Sequence, residues 1–515
     1  MLTSIYPISF LISLGALTTW FYFREDETRS DLMRKVFFTA ISVYVFSFIM
    51  ANAEWDYKFL MLGREMLILM TVPLFLSFFR KNKWVYLALL FAVLGGMDFY
   101  YFDKLKTTFP QTAKLEGTSD VKLDKNGEFL MELLDGHSIS DVRPLLEEYN
   151  LTAQPAFSPK DATATDLDDY YVINVPTAHE SHLPTVKKAL EKNEMVEWVE
   201  YNEEYTLSPL ESVPQKSLPR LNKKYGLNDP GLENLWGFEA LDVATLYDEL
   251  KERKPVRKAL IAILDTGVDA EHEDLDANFT TTNSKYDNDP AGHGTHCAGI
   301  AAAVSNNNKG VASFSQTNEY VQVTSIKVLS AGGYGTQKMI IDGILEAADS
   351  KADVISLSLG GLSNDARQRA YKKAVDYANK KGSIVVVAAG NSNRNAIEFA
   401  PANTPGVIAV SAIDTVMNRA NFSNLVMDLK MAVAAPGVNI YSTFPKGEYR
   451  SFNGTSMATP YVAGLVGLMK SLQPDLTTKA VFDILHKTGR TTNQDKETGK
   501  LIQPAAAVSK LLEGI

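Results

Sequence analysis

The second half of the chain alternates short apolar runs with amphipathic stretches, and this alternation limits its possible folds more than any other feature. The apolar runs include KALIAILDTG, TSIKVLSAGG, DVISLSLGG and SIVVVAAGN, and each ends in small residues. Amphipathic segments such as KMIIDGILEAADSK lie between them. Continuous apolar strands that alternate with helices are typical of a parallel sheet with helices on both faces. The sequence therefore predicts an α/β, doubly wound parallel sheet.

Candidate functional residues stand at the ends of these predicted strands, where sites form in such sheets. Asp265, Gly360 and Asn391 each follow an apolar run, whereas His293 and Ser456 each begin a predicted helix. A helix N-terminus offers free backbone N–H groups and a partial positive charge, which favour a developing oxyanion beside a hydroxyl. A carboxylate, an imidazole and a hydroxyl together indicate nucleophilic catalysis.

The stretch AGHGTHCAG also raises two other interpretations, because it holds two histidines and the only cysteine. Zinc requires three or four ligands, and no separate Cys/His pair occurs elsewhere in this part of the chain. Cys297 lies one predicted helical turn after His293, and we interpret it as a small residue packed beneath the site. One cysteine also excludes an intrachain disulfide.

Four blocks, IAILDTGVD, GHGTHCAG, VVVAAGN and FNGTSMATP, resemble the subtilase family of serine proteases in order and spacing. The resemblance covers roughly Tyr225 to Leu512 and implies a subtilisin-like fold. It implies that Ser456 is the nucleophile, His293 the general base and Asp265 the residue that orients the imidazole. Asn391 is implied as the oxyanion donor. The expected activity is that of a serine endopeptidase working through an acyl-enzyme, with no cofactor required for the chemistry.

The same resemblance implies the residues that hold a substrate. Two segments are expected to pair with the substrate backbone, namely Gly332, Gly333 and Tyr334, and Ser358, Leu359 and Gly360. A third segment, Ala388, Ala389 and Gly390, is expected to line the pocket for the substrate residue before the scissile bond. Phe399 falls near the expected floor of that pocket and would restrict it. Asp274 and Asn307 match a family calcium site, and their oxygen atoms suit Ca²⁺. A polar surface turn is the alternative interpretation of Asn307.

The segment before this domain predicts a small α+β fold. EFLMELLD, DYYVINVP and MVEWVEYNEEYTL read as strands, with helical stretches between them. The pattern resembles a subtilase propeptide, an inhibitor and folding aid that becomes a partner of the mature enzyme; an inert spacer is the alternative. We predict this domain over 120–207, a linker with the processing region over 208–224, and the peptidase domain over 225–515.

The N-terminal part is strongly apolar. Its four apolar runs are Pro7–Phe23, Val36–Ala53, Phe59–Phe79 and Trp84–Phe102, although Arg64 and Glu65 interrupt the third. Runs of this length predict a four-span, all-α transmembrane region over 1–102, with the lipid bilayer as a partner. Basic residues in the first and third loops place those loops in the cytosol. The expected location is therefore the cell membrane, multi-pass, with the peptidase domain extracytoplasmic.

The overall charge excludes one class of partner. A formal charge of −10 without a basic cluster argues against nucleic acid, so protein or peptide substrates are expected. Two rival functions stay open: a catalytically inactive binding protein with a protease fold, and a membrane sensor or transporter with an attached protease. The four catalytic residue types argue against the first rival. Short loops and a single intramembrane charged pair argue against the second.

Overall fold

The computed structural model describes residues 2–50, 55–93, 122–177, 182–207, 224–363 and 368–513. Contacts between Cα atoms divide the chain into two compact units, Met1–Ser119 and Asp120–Ile515. The linker predicted at 208–224 lies almost entirely outside the described residues. The finer domain limits that the sequence predicts within the second unit stay predictions.

The first unit is helical. Its helices are α1 (Leu2–Tyr22), α2 (Glu27–Met50), α3 (Trp55–Ser77) and α4 (described over 83–93). Leu76, Tyr86 and Leu90 form a small apolar cluster. The Tyr44 hydroxyl donates to the buried Glu65 carboxylate at 2.5 Å.

The prediction of a four-span transmembrane region is not supported by the described residues. None of their helices combines the length and the apolar character needed to cross a bilayer. The predicted span Trp84–Phe102 extends into residues 94–121, which lie outside the described part.

The second unit begins with an α+β region. Its strands are β1 (Phe129–Leu133), β2 (Thr152–Pro155), β3 (Tyr170–Asn174) and β4 (Val196–Tyr201), in the order β2-β3-β1-β4. Helices α5 (Arg143–Glu148) and α6 (Leu183–Glu191) pack on one face, where Phe129, Met131 and Ile173 meet Val186 and Leu190. The sequence missed β2 because this edge strand is mostly exposed and has no apolar alternation. A short strand, β5 (Glu204–Thr206), follows.

A seven-stranded sheet forms the centre of the rest of the unit, in the order β17-β14-β13-β11-β9-β6-β7. All six strand pairs in it are parallel. This sheet and its helices confirm the predicted α/β architecture. The seven strands of the sheet are β6 (Ala259–Asp265), β7 (Val321–Lys327), β9 (Val354–Leu357), β11 (Ile384–Ala388), β13 (Val407–Ile413), β14 (Ala432–Pro436) and β17 (Lys500–Leu501). The other strands form separate two-stranded pairs: β8 (Tyr334–Thr336) with β5, β10 (Gly361–Leu362) with β12 (Phe399–Ala400), and β15 (Ile440–Phe444) with β16 (Glu448–Phe452).

Helices cover both faces of this sheet. They are α7 (Trp236–Ala240), α8 (Val243–Leu250), α9 (His293–Ala302), α10 (Gln337–Asp349), α11 (Arg369–Lys380), α12 (Thr455–Leu472), α13 (Thr478–Thr488), α14 (Asp495–Thr498) and α15 (Pro504–Leu512). Strand β6 shows the two faces by alternation, with Ile261 and Ile263 in one apolar core and Ala262 and Leu264 in the other. Every residue of α12 is buried, so this helix is fixed along its whole length.

Candidate active site

Asp265 and His293 meet at the carboxyl end of the sheet. Asp265 is the last residue of β6, and His293 is the first residue of α9. The His293 Nδ1–H donates to Asp265 Oδ1 at 2.7 Å, and both side chains are buried. Gly292, just before the helix, has φ +85°, and a Cβ there would collide with the Phe444 ring. Glycine is therefore the residue type that fits at this position, where the chain turns into α9.

The electrostatics of this pair favour the protonated imidazole. Burial opposes the charge on His293, but the Asp265 carboxylate and its hydrogen bond outweigh burial and raise the pKa of His293. The Thr266 N–H donates to Asp265 Oδ1 at 2.7 Å, whereas Oδ2 is buried without a partner. An imidazole held in this way accepts a proton at its other nitrogen while Asp265 stabilises the resulting cation.

Ser456 lies in the first turn of α12, where backbone N–H groups are free. Its hydroxyl donates to the carbonyl oxygen of Ser358 at 2.9 Å, and no hydrogen bond joins it to His293 in the described structure. Cys297 lies close to both Ser456 and the pair of Asp265 and His293. Its Sγ lies 3.5 Å from the Ser456 carbonyl oxygen and within 4.8 Å of ligand atoms of both Asp265 and His293.

Asn391 has one defined amide orientation. Its Oδ1 accepts hydrogen bonds from the backbone N–H of Thr455 at 2.9 Å and from the Thr455 hydroxyl at 2.8 Å. Because a backbone N–H only donates, the atom that faces Thr455 must be the amide oxygen. The Nδ2 group is thereby turned away from Thr455 and lies close to Gly454, two residues before Ser456. The side chain thus offers a donor beside the hydroxyl.

The predicted substrate-pairing residues lie beside strands that are already partly occupied. Strand β5 pairs antiparallel with β8, with Tyr205 opposite Gly335 and Thr206 opposite Tyr334. The Leu207 N–H donates to the Gly333 carbonyl oxygen at 3.0 Å. Gly332 precedes β8 in the same turn. Ser358, Leu359 and Gly360 follow β9.

Of the predicted pocket residues, Ala388 is the last residue of β11, and Ala389 and Gly390 follow it directly. The Phe399 ring lies 3.5 Å from the position that a Cβ would take on Gly390. Phe399 is buried, and the Arg394 guanidinium lies 5.9 Å from its ring centroid. The ring therefore lies against the segment expected to line the pocket.

Asp265, His293 and Cys297 also have the proximity of metal ligands. Burial raises the pKa of Cys297 well above its usual value, so the thiol is held in its protonated form. His296 points elsewhere, since its Nε2 contacts the Arg450 carbonyl oxygen at 2.9 Å and burial lowers its pKa to about 3. The hydrogen bond between Asp265 and His293 accounts for this cluster without an ion.

Asp274 and Asn307, the predicted calcium ligands, are brought together. Asn307 Nδ2 donates to Asp274 Oδ1 at 2.8 Å, and the Val311 N–H donates to Asp274 Oδ2 at 2.8 Å. A second fully buried carboxylate, Asp229, accepts from the Asn307 N–H at 3.2 Å. Burial raises the pKa of Asp274 to about 8, and repulsion from Asp229 adds to this. Two buried carboxylates offer oxygen atoms that fit a calcium ion, and the Asn307 amide would turn its Oδ1 toward the ion, since its Nδ2 faces Asp274 in this structure.

Sequence reasoning missed three residues of the site. Thr455 orients the Asn391 amide. Asp289 accepts hydrogen bonds from the Thr295 N–H at 2.9 Å and from the Thr295 hydroxyl at 2.8 Å, in the first turn of α9. Asp229 adds a carboxylate near Asp274. Asp289 is separated from His293 by a short turn, and a carboxylate just before a predicted helix is a recognised capping signal. The other two contacts join distant parts of the chain.

Comparison with known proteins gives a consistent result. A sequence profile of the Subtilase family matches residues 257–501. The chain is 46% identical to thermitase of Thermoactinomyces vulgaris over 220 residues, which cover 41% of this chain and 75% of that protein. It is 43% identical to subtilisin DY of Bacillus licheniformis over 256 residues, covering 48% and 89% respectively. A protease of Pseudoalteromonas arctica PAMC 21717 has a similar structure, with a TM-score of 0.49, 30% identity and coverage of 55% and 99%.

Proposed function

Because the chain belongs to the subtilase family and is a subtilisin-like serine endopeptidase, we propose that it cleaves peptide bonds through an acyl-enzyme formed on Ser456. The observation that carries this assignment is the 2.7 Å hydrogen bond between His293 and Asp265, at the sheet edge where Ser456 lies in the first turn of α12. Proteins and peptides are the substrate class.

The proposed reaction starts with a movement of the Ser456 hydroxyl. It leaves the Ser358 carbonyl and turns to His293, which takes its proton as the oxygen attacks the scissile carbonyl. The Asn391 Nδ2 and the Ser456 backbone N–H donate to the oxyanion. His293 then gives the proton to the leaving amine, and water hydrolyses the ester by the reverse sequence. Asp265 stabilises the imidazolium in both steps.

A fluorophosphonate probe tests this assignment against the inactive-protein rival. The probe should label Ser456 in a chain freed of its first 207 residues by processing, and Ser456→Ala should abolish the labelling. Ser451→Ala is a matched control, because Ser451 is buried in β16 nearby. Absence of labelling in the processed wild-type protein would support the rival.

We also propose that the α+β region over 122–207 is an inhibitory propeptide. The pairing of β5 with β8 supports this, because it uses backbone groups that a substrate is expected to need. The Tyr205 ring also fills the space above Gly361, where an added Cβ would lie 2.5 Å from it. A substrate strand and β5 would therefore compete for the same edge.

The contacts of this region with α10 and α11 support a tight association. Acceptors meet the N-termini of both helices: Asn202 Oδ1 accepts from the Lys338 N–H, and Glu200 Oε1 from the Ala370 N–H, each at 3.1 Å. Such acceptors neutralise the positive end of a helix dipole. The buried Glu132 carboxylate forms an ion pair with Lys373 of α11.

N-terminal sequencing tests the precursor. The wild-type protein should start within 205–236 after maturation, whereas Ser456→Ala should keep the uncut chain. Normal cutting of Ser456→Ala in a host without other proteases active on it would show that the cut is not autocatalytic. Purified α+β region added to mature enzyme should inhibit peptide hydrolysis.

A lipid bilayer is the proposed partner of the first unit, with the peptidase domain outside the cytosol. Large exposed apolar side chains support it: Phe78 and Trp84 are each 77% exposed and Phe91 is 71% exposed. Contiguous exposed apolar surface marks contact sites, among them membrane contacts. The full chain should float with phospholipid vesicles, and Phe78→Glu with Phe91→Glu should weaken flotation. Val256→Glu, a change at a 71% exposed residue of the second unit, is the control.

External protease should digest the catalytic domain in intact cells.

A structural calcium ion is proposed at Asp274 and Asn307, joined by Asp229. Two carboxylates, both buried and near each other, support it, because a divalent cation would relieve their repulsion. The ion would hold the loop Asn306–Val311 against Asp274 and would take no part in the chemistry.

A further inference from the structure

A cavity of about 700 Å³ opens at the end of the sheet opposite the catalytic residues. Strands β9 and β11 start beside it, since Asp353 and Ile384 line its wall, and the α+β region contributes Lys160 and Asp161. The volume falls within the range of about 300–1,000 Å³ that is typical of small-ligand sites. The proposed protease activity makes no use of this cavity.

A buried cation lines it. Lys470, near the C-terminal end of α12, is 2% exposed and lies in the wall of the cavity. Its Nζ donates to the carbonyl oxygens of Gly382 at 2.9 Å and Leu476 at 3.3 Å. Within the described residues no carboxylate lies within ion-pair distance of it. Burial lowers the pKa of Lys470, which reflects the cost of a charge that two neutral carbonyls only partly offset.

The other charges of the wall leave this cation uncompensated. Arg257 is held by Asp353, and Lys381 is held by Asp161 at 2.6 Å. Asp349 accepts from the Lys160 backbone N–H at 3.2 Å and from the Tyr377 hydroxyl at 2.5 Å.

Three cations and two carboxylates of the wall remain outside these ion pairs, namely Lys160, Lys351 and Lys470, and Asp349 and Asp475. Lys351 is exposed and forms no ion pair among the described residues, and Lys470 is buried. Asp475 lies beyond the 4.0 Å limit of an ion pair with Lys470. The wall therefore carries one more positive charge than negative charges, and the buried Lys470 has no ion-pair partner among the described residues.

The N-terminus of α13 adds donors at the same place. This helix has 11 residues, and its cap Thr477 and first residue Thr478 line the cavity. The Thr477 side chain accepts from the Ala480 N–H at 3.2 Å, which leaves the earlier N–H groups of the first turn free of that cap. Backbone N–H groups and the helix dipole favour an anion here, in addition to Lys470.

We propose that this cavity binds a small oxyanion, a phosphate or a carboxylate, whose charge is met by Lys470, Lys351 and the first turn of α13. Lys160 and Asp161 come from the α+β region, so a bound oxyanion also holds that region against the peptidase part. The site is a binding site only, and no covalent step is involved.

Thermal unfolding of the full chain carrying Ser456→Ala tests the site without self-cleavage. Inorganic phosphate and citrate are titrated separately to 10 mM, each against sodium chloride of equal ionic strength. We expect at least one oxyanion to raise the Tm by about 3 °C or more over chloride, a saturating shift that reports binding to the folded state. A shift with phosphate alone identifies a phosphate site, a shift with citrate alone identifies a carboxylate site, and shifts with both show that the site accepts either oxyanion. Equal shifts with chloride would overturn the proposal.

Two variants locate the effect. Lys470→Met should remove the oxyanion-specific shift, whereas Lys510→Met, at a lysine of α15 that does not line the cavity, should keep it. Lys470→Met also leaves two carbonyl oxygens without their donor, so this variant could fail to fold. Lys351→Gly is the second variant for that case. Lys351 is exposed and has φ +60°, a backbone conformation that glycine adopts freely. Lys351→Gly should weaken binding at least threefold. An unchanged affinity in both variants that fold would overturn the assignment.

Discussion

Ser456 and Ser358 are joined by two reciprocal hydrogen bonds, each from the hydroxyl of one residue to the backbone carbonyl of the other. Ser456 donates to the Ser358 carbonyl oxygen at 2.9 Å, and the Ser358 hydroxyl donates to the Ser456 carbonyl oxygen at 2.9 Å. The nucleophile thus rests on the segment expected to bind substrate backbone. A substrate N–H that takes over the Ser358 carbonyl would free the Ser456 hydroxyl for His293, which couples substrate binding to activation.

Ser358→Ala tests the weight of this arrangement. The variant loses one buried donor but keeps the Ser358 carbonyl, so the resting bond of Ser456 survives. We expect a loss of stability of about 1–2 kcal/mol in denaturant unfolding, with fluorophosphonate labelling reduced less than tenfold. Labelling abolished in a folded variant would mean that the Ser358 hydroxyl acts directly in catalysis.

The pH dependence of kcat/KM should report His293. The general base must be neutral, so the rate rises with pH through the pKa of His293 in the free enzyme. Because Asp265 raises that pKa, the acid limb should lie above about 6.5, the ordinary value for histidine. Asp265→Asn removes the carboxylate charge, which should move the limb to lower pH and reduce kcat by about 10⁴-fold. A limb that stays in place in Asp265→Asn would contradict this role.

Asn391 and Thr455 should act as a unit in holding the oxyanion. Asn391→Leu should lower kcat by about 10²–10³-fold with little change in KM, the loss measured at the same donor in subtilisin of this family. Thr455→Val removes the hydroxyl that donates to Asn391 Oδ1 but keeps the backbone donor. We expect a smaller loss in kcat, about tenfold, and near-normal activity in Thr455→Ser. Equal activity of Thr455→Val and wild type would show that the backbone bond alone is sufficient.

The sequence predicts the sheet and the chemistry of its edge better than it predicts side-chain orientation. Strands such as β6 and β11 are apolar throughout and end in Asp265 and at Ala388, so their type and direction follow from the pattern. The bond between Thr455 and Asn391 joins residues 64 positions apart, and only the packing of α12 brings them together. Strand β2 is exposed, so no buried face marks it in the sequence.

The N-terminal helices show a different limit. Hydropathy along the sequence predicts four spans, whereas none of the described helices has the length and apolar character needed to cross a bilayer. Helix existence follows from the composition, whereas the surroundings of each helix depend on contacts that a local pattern does not contain.

Calcium should stabilise the second unit through Asp274. Adding EDTA should lower the Tm of the mature enzyme by several degrees, and excess Ca²⁺ should restore it, because a cation relieves the repulsion between Asp274 and Asp229. Asp274→Asn keeps the size of the side chain and removes one charge, so this variant should lose the response to EDTA. Asp276→Asn, at an exposed residue of the same loop, is the control. An identical Tm with and without EDTA in the wild type would rule out the proposed ion.

Phe399 should restrict the residue that the enzyme accepts before the scissile bond. Its ring lies 3.5 Å from the Cβ position of Gly390, and it is 6% exposed, so it fills space that the predicted pocket would otherwise offer. Phe399→Ala should raise kcat/KM for peptides with phenylalanine before the cut at least tenfold relative to alanine. The loss of a buried ring will also cost about 3 kcal/mol of stability, so assays are run well below the variant's Tm. Val416→Ala, at a 63% exposed residue outside the predicted substrate segments, should leave this ratio unchanged. A ratio that does not move in Phe399→Ala would place the ring outside the pocket.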